Sequence, residues 1–316
     1  MDTNQLSAVL SPDGWTAARN IEAALRQPAD AAASRARRME RELDRYRGLA
    51  RNPRAALRAL LAIDDPLPAA DRQWLLKKEN GPFVLALPLT LPALAVIARL
   101  FDTRHHFLCI EETPLTMPLL GFLTELDKGR RAMMAQASGL IRHRRVATQK
   151  ELSRTVFVTF PDHHRSTEGT SRVVPFFGGE HYVPITEPLL YFRGVSPVVT
   201  FAPAASGNGL ALARYEVRPN DPVTEEDAVE LLTWLMARIE TFVQAGTHDL
   251  LSWTVISHRT RESFRVNRAV DARMVEAFLR AWKNDAGVIG DDLFAWSAGE
   301  LARIHASSRT TPKELR

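Results

Sequence analysis

The chain carries a single cysteine, Cys109, in 316 residues. That excludes an intramolecular disulfide and a cysteine-rich zinc site, and it predicts a reducing compartment. Uninterrupted apolar runs are also scarce. The most apolar stretch, 82–100, is broken by Pro82, Pro88, Thr90 and Pro92. It therefore reads as strand, turn and helix, and no transmembrane segment is expected. The N-terminus, Met1-Asp-Thr-Asn-Gln-Leu6, has no basic segment leading into an apolar one, so a secretory signal is not expected and a cytoplasmic location is. There is no Gly-x-Ser-x-Gly nucleophile elbow, no Gly-x-x-x-x-Gly-Lys phosphate loop and no Gly-x-Gly-x-x-Gly dinucleotide loop. Those absences argue against a serine hydrolase, a P-loop nucleotidase and a dinucleotide-binding oxidoreductase. Internal repeats and low-complexity segments are absent as well.

What is present is an ordinary globular composition, 45% hydrophobic and 25% charged. It is enough for one large α/β domain or two small ones. The formal net charge is +4 and the sequence pI about 9.4. Arginine supplies most of the positive charge, and its planar fork suits phosphate. A solvated basic face accounts for this balance. A phosphopantetheine carrier protein, coenzyme A, an anionic membrane or RNA are the partners it would also fit.

Good helix formers dominate 15–80, and Asn52-Pro53 opens a helix there. Strand-like and helical stretches then alternate: strand 82–87, helix 91–101, strand 105–110, helix 115–127, a short helix around 133–141, and strand 155–160. That alternation predicts an α/β fold with a mostly parallel central sheet flanked by helices. Further expected elements are a helix at 186–192, a strand at 198–201 and a strand at 210–217, the last two joined by a hairpin turn. A long helix at 228–244, capped through Thr224 and Asp227, and a short strand at 253–257 follow. The domain reading is a helical N-terminal layer over 1–80, an α/β core over 81–260 and a helical tail over 261–316. Within the tail, 291–304 looks like the segment around a carrier protein's phosphopantetheine serine, but Glu300 stands at the serine position. A docking helix is the expectation.

The chemistry concentrates where a buried strand ends in Pro161-Asp162-His163-His164. A polar loop and an apolar turn, Val173-Val-Pro-Phe-Phe-Gly-Gly179, come next. A strand delivering Asp and His to its C-terminal end is how α/β sheets build sites. Asp162 either lines a site or caps the turn. His163 is a candidate acid–base group and His164 a substrate contact. Arg172 either holds an anionic group or is solvated. Glu111 and Glu112 end the second strand, and Glu111 is a second candidate base. The alternative for both is a solvated strand end ahead of Pro114. A metal site would need a third ligand, and no ligand spacing appears. The basic cluster at 142–145 lacks interleaved aromatics, so single-strand RNA stacking has no support.

The Pro-Asp-His-His and Val-Pro-Phe-Phe-Gly pieces, with Pro197-Val-Val-Thr-Phe201, Trp234-Leu235, Ile239-Glu240 and Trp253 with His258-Arg259, resemble the bacterial lipid A acyltransferase family of lysophospholipid-acyltransferase-like enzymes. The resemblance spans roughly residues 30 to 260. It implies a glycerolipid-acyltransferase-like fold and acyl transfer from a thioester donor. In that family a strand runs into a helix carrying His-x-x-x-x-Asp or -Glu, with the His as general base. Here Thr90 stands at the position of the His and Ala95 at that of the carboxylate. The literal His106-x-x-x-x-Glu111 lies along one strand, where five residues span about 16 Å, so it is not that dyad.

The expectation is thus an acyltransferase-like enzyme without a resident cofactor. Its donor would be acyl-coenzyme A, an acyl carrier protein or an aminoacyl-tRNA, and its acceptor a small nucleophile. Glu111, Asp162 and His163 would be catalytic, and Thr90, Glu112, His164 and Arg172 would bind substrate. The alternative is a degenerate homologue that holds an acyl chain or docks a partner.

Overall fold

The structure, a computed structural model, describes residues 12–77, 80–103, 106–163, 171–184, 197–204, 210–215, 224–245, 249–253, 273, 276–277 and 279–281. The chain divides into two compact units. One comprises 1–43, 177–179 and 253–316; the other comprises 44–176 and 180–252.

The first unit contains α1 (Pro12–Leu25) and most of α2 (Ala29–Ala50). Ala17, Ala18 and Ile21 on α1 and Ala32, Ala33, Ala36 and Met39 on α2 are buried. One contact between the helices is tight. A Cβ placed on Gly14 would stand 2.0 Å from the buried Glu40 Oε1. Arg37 donates to Glu40 at 2.6 Å, so the carboxylate is paired where it lies.

The second unit is built on a six-stranded sheet. In chain order its elements are α3 (Pro53–Leu61), α4 (Ala69–Leu76), β1 (Phe83–Ala86), α5 (Leu91–Thr103), β2 (Phe107–Glu111), α6 (Thr116–Leu120), α7 (Phe122–Leu126), β3 (Ala132–Ala135), α8 (Ala137–Val146), α9 (Gln149–Leu152) and β4 (Thr155–Thr159). A hairpin of β5 (Ser171–Phe176) and β6 (Gly179–Pro184) follows, then β7 (Val198–Pro203), β8 (Leu210–Tyr215) and α10 (Glu225–Gln244). The strand order is β3-β2-β4-β1-β7-β8. The first five are mutually parallel, and β8 is antiparallel to β7. The fold is therefore α/β with a mostly parallel sheet, as the alternation of elements predicts. Each of β1, β2 and β4 is buried almost throughout, as parallel strands covered on both faces must be. Val84, Ala86, Cys109, Phe157 and Val198 point to one face, where Leu140 of α8 and Leu231 and Leu235 of α10 cover them.

Four local expectations change. Residues 132–135, Ala-Met-Met-Ala, form β3 instead of the start of a helix, and α8 begins at Ala137. Ala and Met favour helices, but pairing with β2 from Leu108–Ala132 to Glu111–Ala135 overrides that preference. The segment 115–127 is two short helices broken at Gly121, whose Cβ would meet the Met117 carbonyl at 2.6 Å. The expected apolar turn at 173–179 is mostly strand. Only Phe177 and Gly178 turn, both with positive φ (50° and 73°), the signature of a two-residue I′ hairpin. Trp253 has helical geometry instead of opening a strand, and 254–257 lie outside the described residues. So do the expected helix at 186–192, most of the hairpin turn after β7, and nearly all of the tail, including 291–304.

Candidate functional site

Parallel strands deliver their C-terminal ends to one edge of the sheet. The chain leaving β2 runs to β3 on one side, and the chain leaving β4 runs toward β7 on the other. Between neighbours that diverge in this way an open α/β sheet has its topological switch point, and ligands favour the crevice there. Glu111 ends β2 and Thr159 ends β4, on the two sides of this point.

The pairings place four residues in one row at that edge: Ala135, Glu111, Thr159 and Ala86. Alternation along the strands turns them to the face covered by α8 and α10, which Ala86 and Ala135 line. The Thr159 hydroxyl donates to Glu111 Oε2. Both side chains are buried, and a buried carboxylate needs such a donor. On either side of this pair the row offers only methyl groups. Around it, the Thr116 hydroxyl donates to the Glu111 carbonyl at 2.8 Å, and the Glu112 amide donates to the Ala135 carbonyl at 2.9 Å. Glu112 itself is exposed. His106 lies at the opposite end of β2, its Nε2 2.9 Å from the Leu75 carbonyl, so the His106–Glu111 spacing forms no dyad.

Asp162 is fully buried in the turn Pro161–His163 after β4. Its carboxylate accepts the Leu89 amide at 3.0 and 3.2 Å on its two oxygens, and it accepts the Ser252 hydroxyl. The Leu251 amide in turn donates to the Leu89 carbonyl at 2.7 Å. Asp162 thereby ties together the exit of β1, the exit of β4 and the segment at 249–252. Thr90 is next to this knot and fully buried. Its hydroxyl accepts the Ala93 amide at 3.4 Å and its carbonyl accepts the Leu94 amide at 3.1 Å. It therefore caps α5, and Ala95 behind it is buried in the same helix.

Of the remaining candidates, the Arg172 guanidinium on β5 reaches Glu225 in the first turn of α10. His163 contributes its backbone to the turn, but its side chain, and all of His164, lie outside the described residues. His143 of the basic cluster does not face solvent alone. Its ring stacks on Phe107 with centroids 5.4 Å apart and meets Phe157 edge-on.

Thr159, Thr116 and Ser252 are absent from the expected site. Thr159 carries a signal in hindsight, as a hydroxyl at the end of an otherwise apolar strand. Ser252 carries none, because its partner lies 90 residues away.

No protein-family model matches this chain, and no curated protein matches it. Among the described residues, no three His, Cys, Asp or Glu side chains are grouped to hold a metal ion. No described helix is long and apolar enough to cross a membrane. Burial pushes the Cys109 thiol up to about 12, so a thiolate nucleophile at this position is excluded at neutral pH.

Proposed function

We propose that the chain is an acyltransferase-like enzyme that moves an acyl or aminoacyl group from an activated donor to a small amine-type acceptor. The observation that carries this reading is the buried Glu111–Thr159 pair at the switch point, flanked by Ala86 and Ala135. A hydroxyl acceptor would need the base that Thr90 and Ala95 do not supply. An amine near its own pKa is already nucleophilic and needs chiefly position. Its nitrogen attacks the donor carbonyl, the carbon–sulfur or carbon–oxygen ester bond breaks, and the leaving group departs with a proton. Glu111 takes the proton the nitrogen sheds and passes it to that leaving group, and Thr159 holds the carboxylate in place. His163 is the second group assigned to proton transfer. Asp162 acts as a positioning residue, because its oxygens are engaged by Leu89 and Ser252. The donor is an acyl-coenzyme A, an acyl carrier protein or an aminoacyl-tRNA, the setting is cytoplasmic, and the resemblance to the lipid A acyltransferases supports this reading.

The test is protein-dependent loss of the acyl group from each donor, with hydroxylamine as acceptor. Glu111→Gln and His163→Ala should each lower turnover at least about 100-fold. Full activity in a variant removes that residue from the mechanism.

A second reading, a ligand-holding protein on the same fold, is favoured by one observation. Thr90 is spent on capping α5, and nothing basic stands at the family's histidine position. Fold alone does not confer activity. Tight donor binding without turnover for all three donors would select this reading.

A further inference from the structure

Residues 45–63 contain five arginines and no Asp or Glu. Their formal charge of +5 exceeds the +4 of the whole chain, so the rest of the chain sums to −1 (4 − 5). Arg47 faces Asp44 at 3.8 Å. Arg51, Arg54 and Arg58 are all exposed, and among the described residues none of the three has a carboxylate partner. Arg54 and Arg58 lie one turn apart on α3, about 6 Å along its axis, opposite the buried Ala56 and Leu60. Arg51 precedes the N-cap Asn52. Arg54 sits in the first turn of α3, which holds no acidic residue. A cation there opposes the helix dipole, so helix stability does not account for its placement.

The chemistry of this ridge narrows its occupant. The cations are guanidinium groups, which bind phosphate oxygens two at a time. A protein interface would need an apolar or aromatic anchor at its centre, and a membrane surface would favour inserted apolar groups. Among the described residues the exposed large apolar ones are Met117, Val146 and Val173, none of them on α3. Among the described residues no exposed aromatic accompanies the arginines, so unstacked bases would find no platform. A purely ionic ridge fits a regular strand of phosphodiesters. We propose that Arg51, Arg54 and Arg58 form a docking surface for the phosphate backbone of a nucleic-acid duplex. This surface does not depend on the acyl-transfer reading, and its test involves no turnover.

Fluorescence anisotropy with a labelled RNA hairpin and a labelled DNA duplex of equal stem length measures it directly. Three phosphate contacts give a logarithmic salt slope of about −2.7, hence about a 40-fold loss of affinity between about 50 and 200 mM salt. Replacing all three arginines by glutamine should abolish this binding, and each single replacement should lower the slope by about one. Arg142→Gln with Arg145→Gln, at the other basic cluster, should leave it unchanged. Circular dichroism verifies that the variants fold, which exposed positions allow. Preference for the hairpin or for the DNA names the duplex form. The proposal is overturned if neither duplex binds at about 100 μM protein in low salt, or if the triple variant keeps the wild-type slope. It is also overturned if phosphatidylglycerol vesicles bind the ridge and duplexes do not.

Discussion

Replacing Asp162 by alanine removes an acceptor on which two buried donors depend. The Leu89 amide loses its partner at 3.0 Å, and the Ser252 hydroxyl loses its own. All three groups are buried, so water does not replace the lost bonds. Leaving a buried donor unsatisfied costs roughly 1–3 kcal/mol. Two orphaned donors therefore give a loss of about 2–6 kcal/mol, comparable with the whole stability of many domains. Ser252→Ala removes one donor while Asp162 keeps the Leu89 amide, and its cost is about 1.5–3 kcal/mol, the range for a hydrogen bond to a charged group. In the double variant the Ser252 hydroxyl is no longer stranded, so the two losses should not add. A coupling of about 1–3 kcal/mol is expected. Urea unfolding of the four proteins, with the denaturant slope checked for constancy, reads both numbers. Single losses below about 0.5 kcal/mol, or losses that add within that margin, would refute the knot between the β1 exit, the β4 exit and 249–252.

Gly139 and Gly48 make an opposed pair. A Cβ on Gly139 of α8 would stand 2.8 Å from the Ala135 Cβ, whereas one on Gly48 of α2 meets nothing within 4 Å. Gly139→Ala should lower stability by about 1 kcal/mol, because overpacking of about 1–3 kcal/mol outweighs a helix-propensity gain of about 1. Gly48→Ala should raise it by about 0.5–1 kcal/mol, and equal signs in thermal melts would contradict the packing of α8 on β3. With its thiol pushed up to about 12, Cys109 should be roughly one part in 10⁴ ionised at pH 8. Native protein should then react with Ellman's reagent only at the rate of unfolding, and prompt reaction would place the thiol outside the core. At the start of α10, hydrogen bonds from the Thr224 amide and hydroxyl hold the Asp227 carboxyl below the usual carboxylate range. A depressed folded-state value stabilises above the unfolded-state value and is lost as pH falls through the folded one. Amide protection factors in the first turn of α10 should therefore fall below about pH 4, and Thr224→Ala should abolish that loss.

The sequence by itself determined whatever is local. The apolar runs of β1, β2 and β4 and the helical stretches between them specify an α/β sheet, because burial on both faces demands uninterrupted apolar strands. The Thr224–Asp227 box is legible because its partners lie three residues apart. Glu111 and Asp162 could be picked out as carboxylates at strand ends. Only the tertiary structure decided their surroundings. Thr159 reaches Glu111 across 48 residues and Ser252 reaches Asp162 across 90. The order β3-β2-β4-β1 brings those strand ends together, and no local preference encodes that order. Ala132–Ala135 shows the same limit from the other side: four residues with helical preference become a strand because β2 offers them a pairing edge. Short-range chemistry writes itself into neighbouring residues, whereas a site assembled at a sheet edge exists only once distant strands have paired.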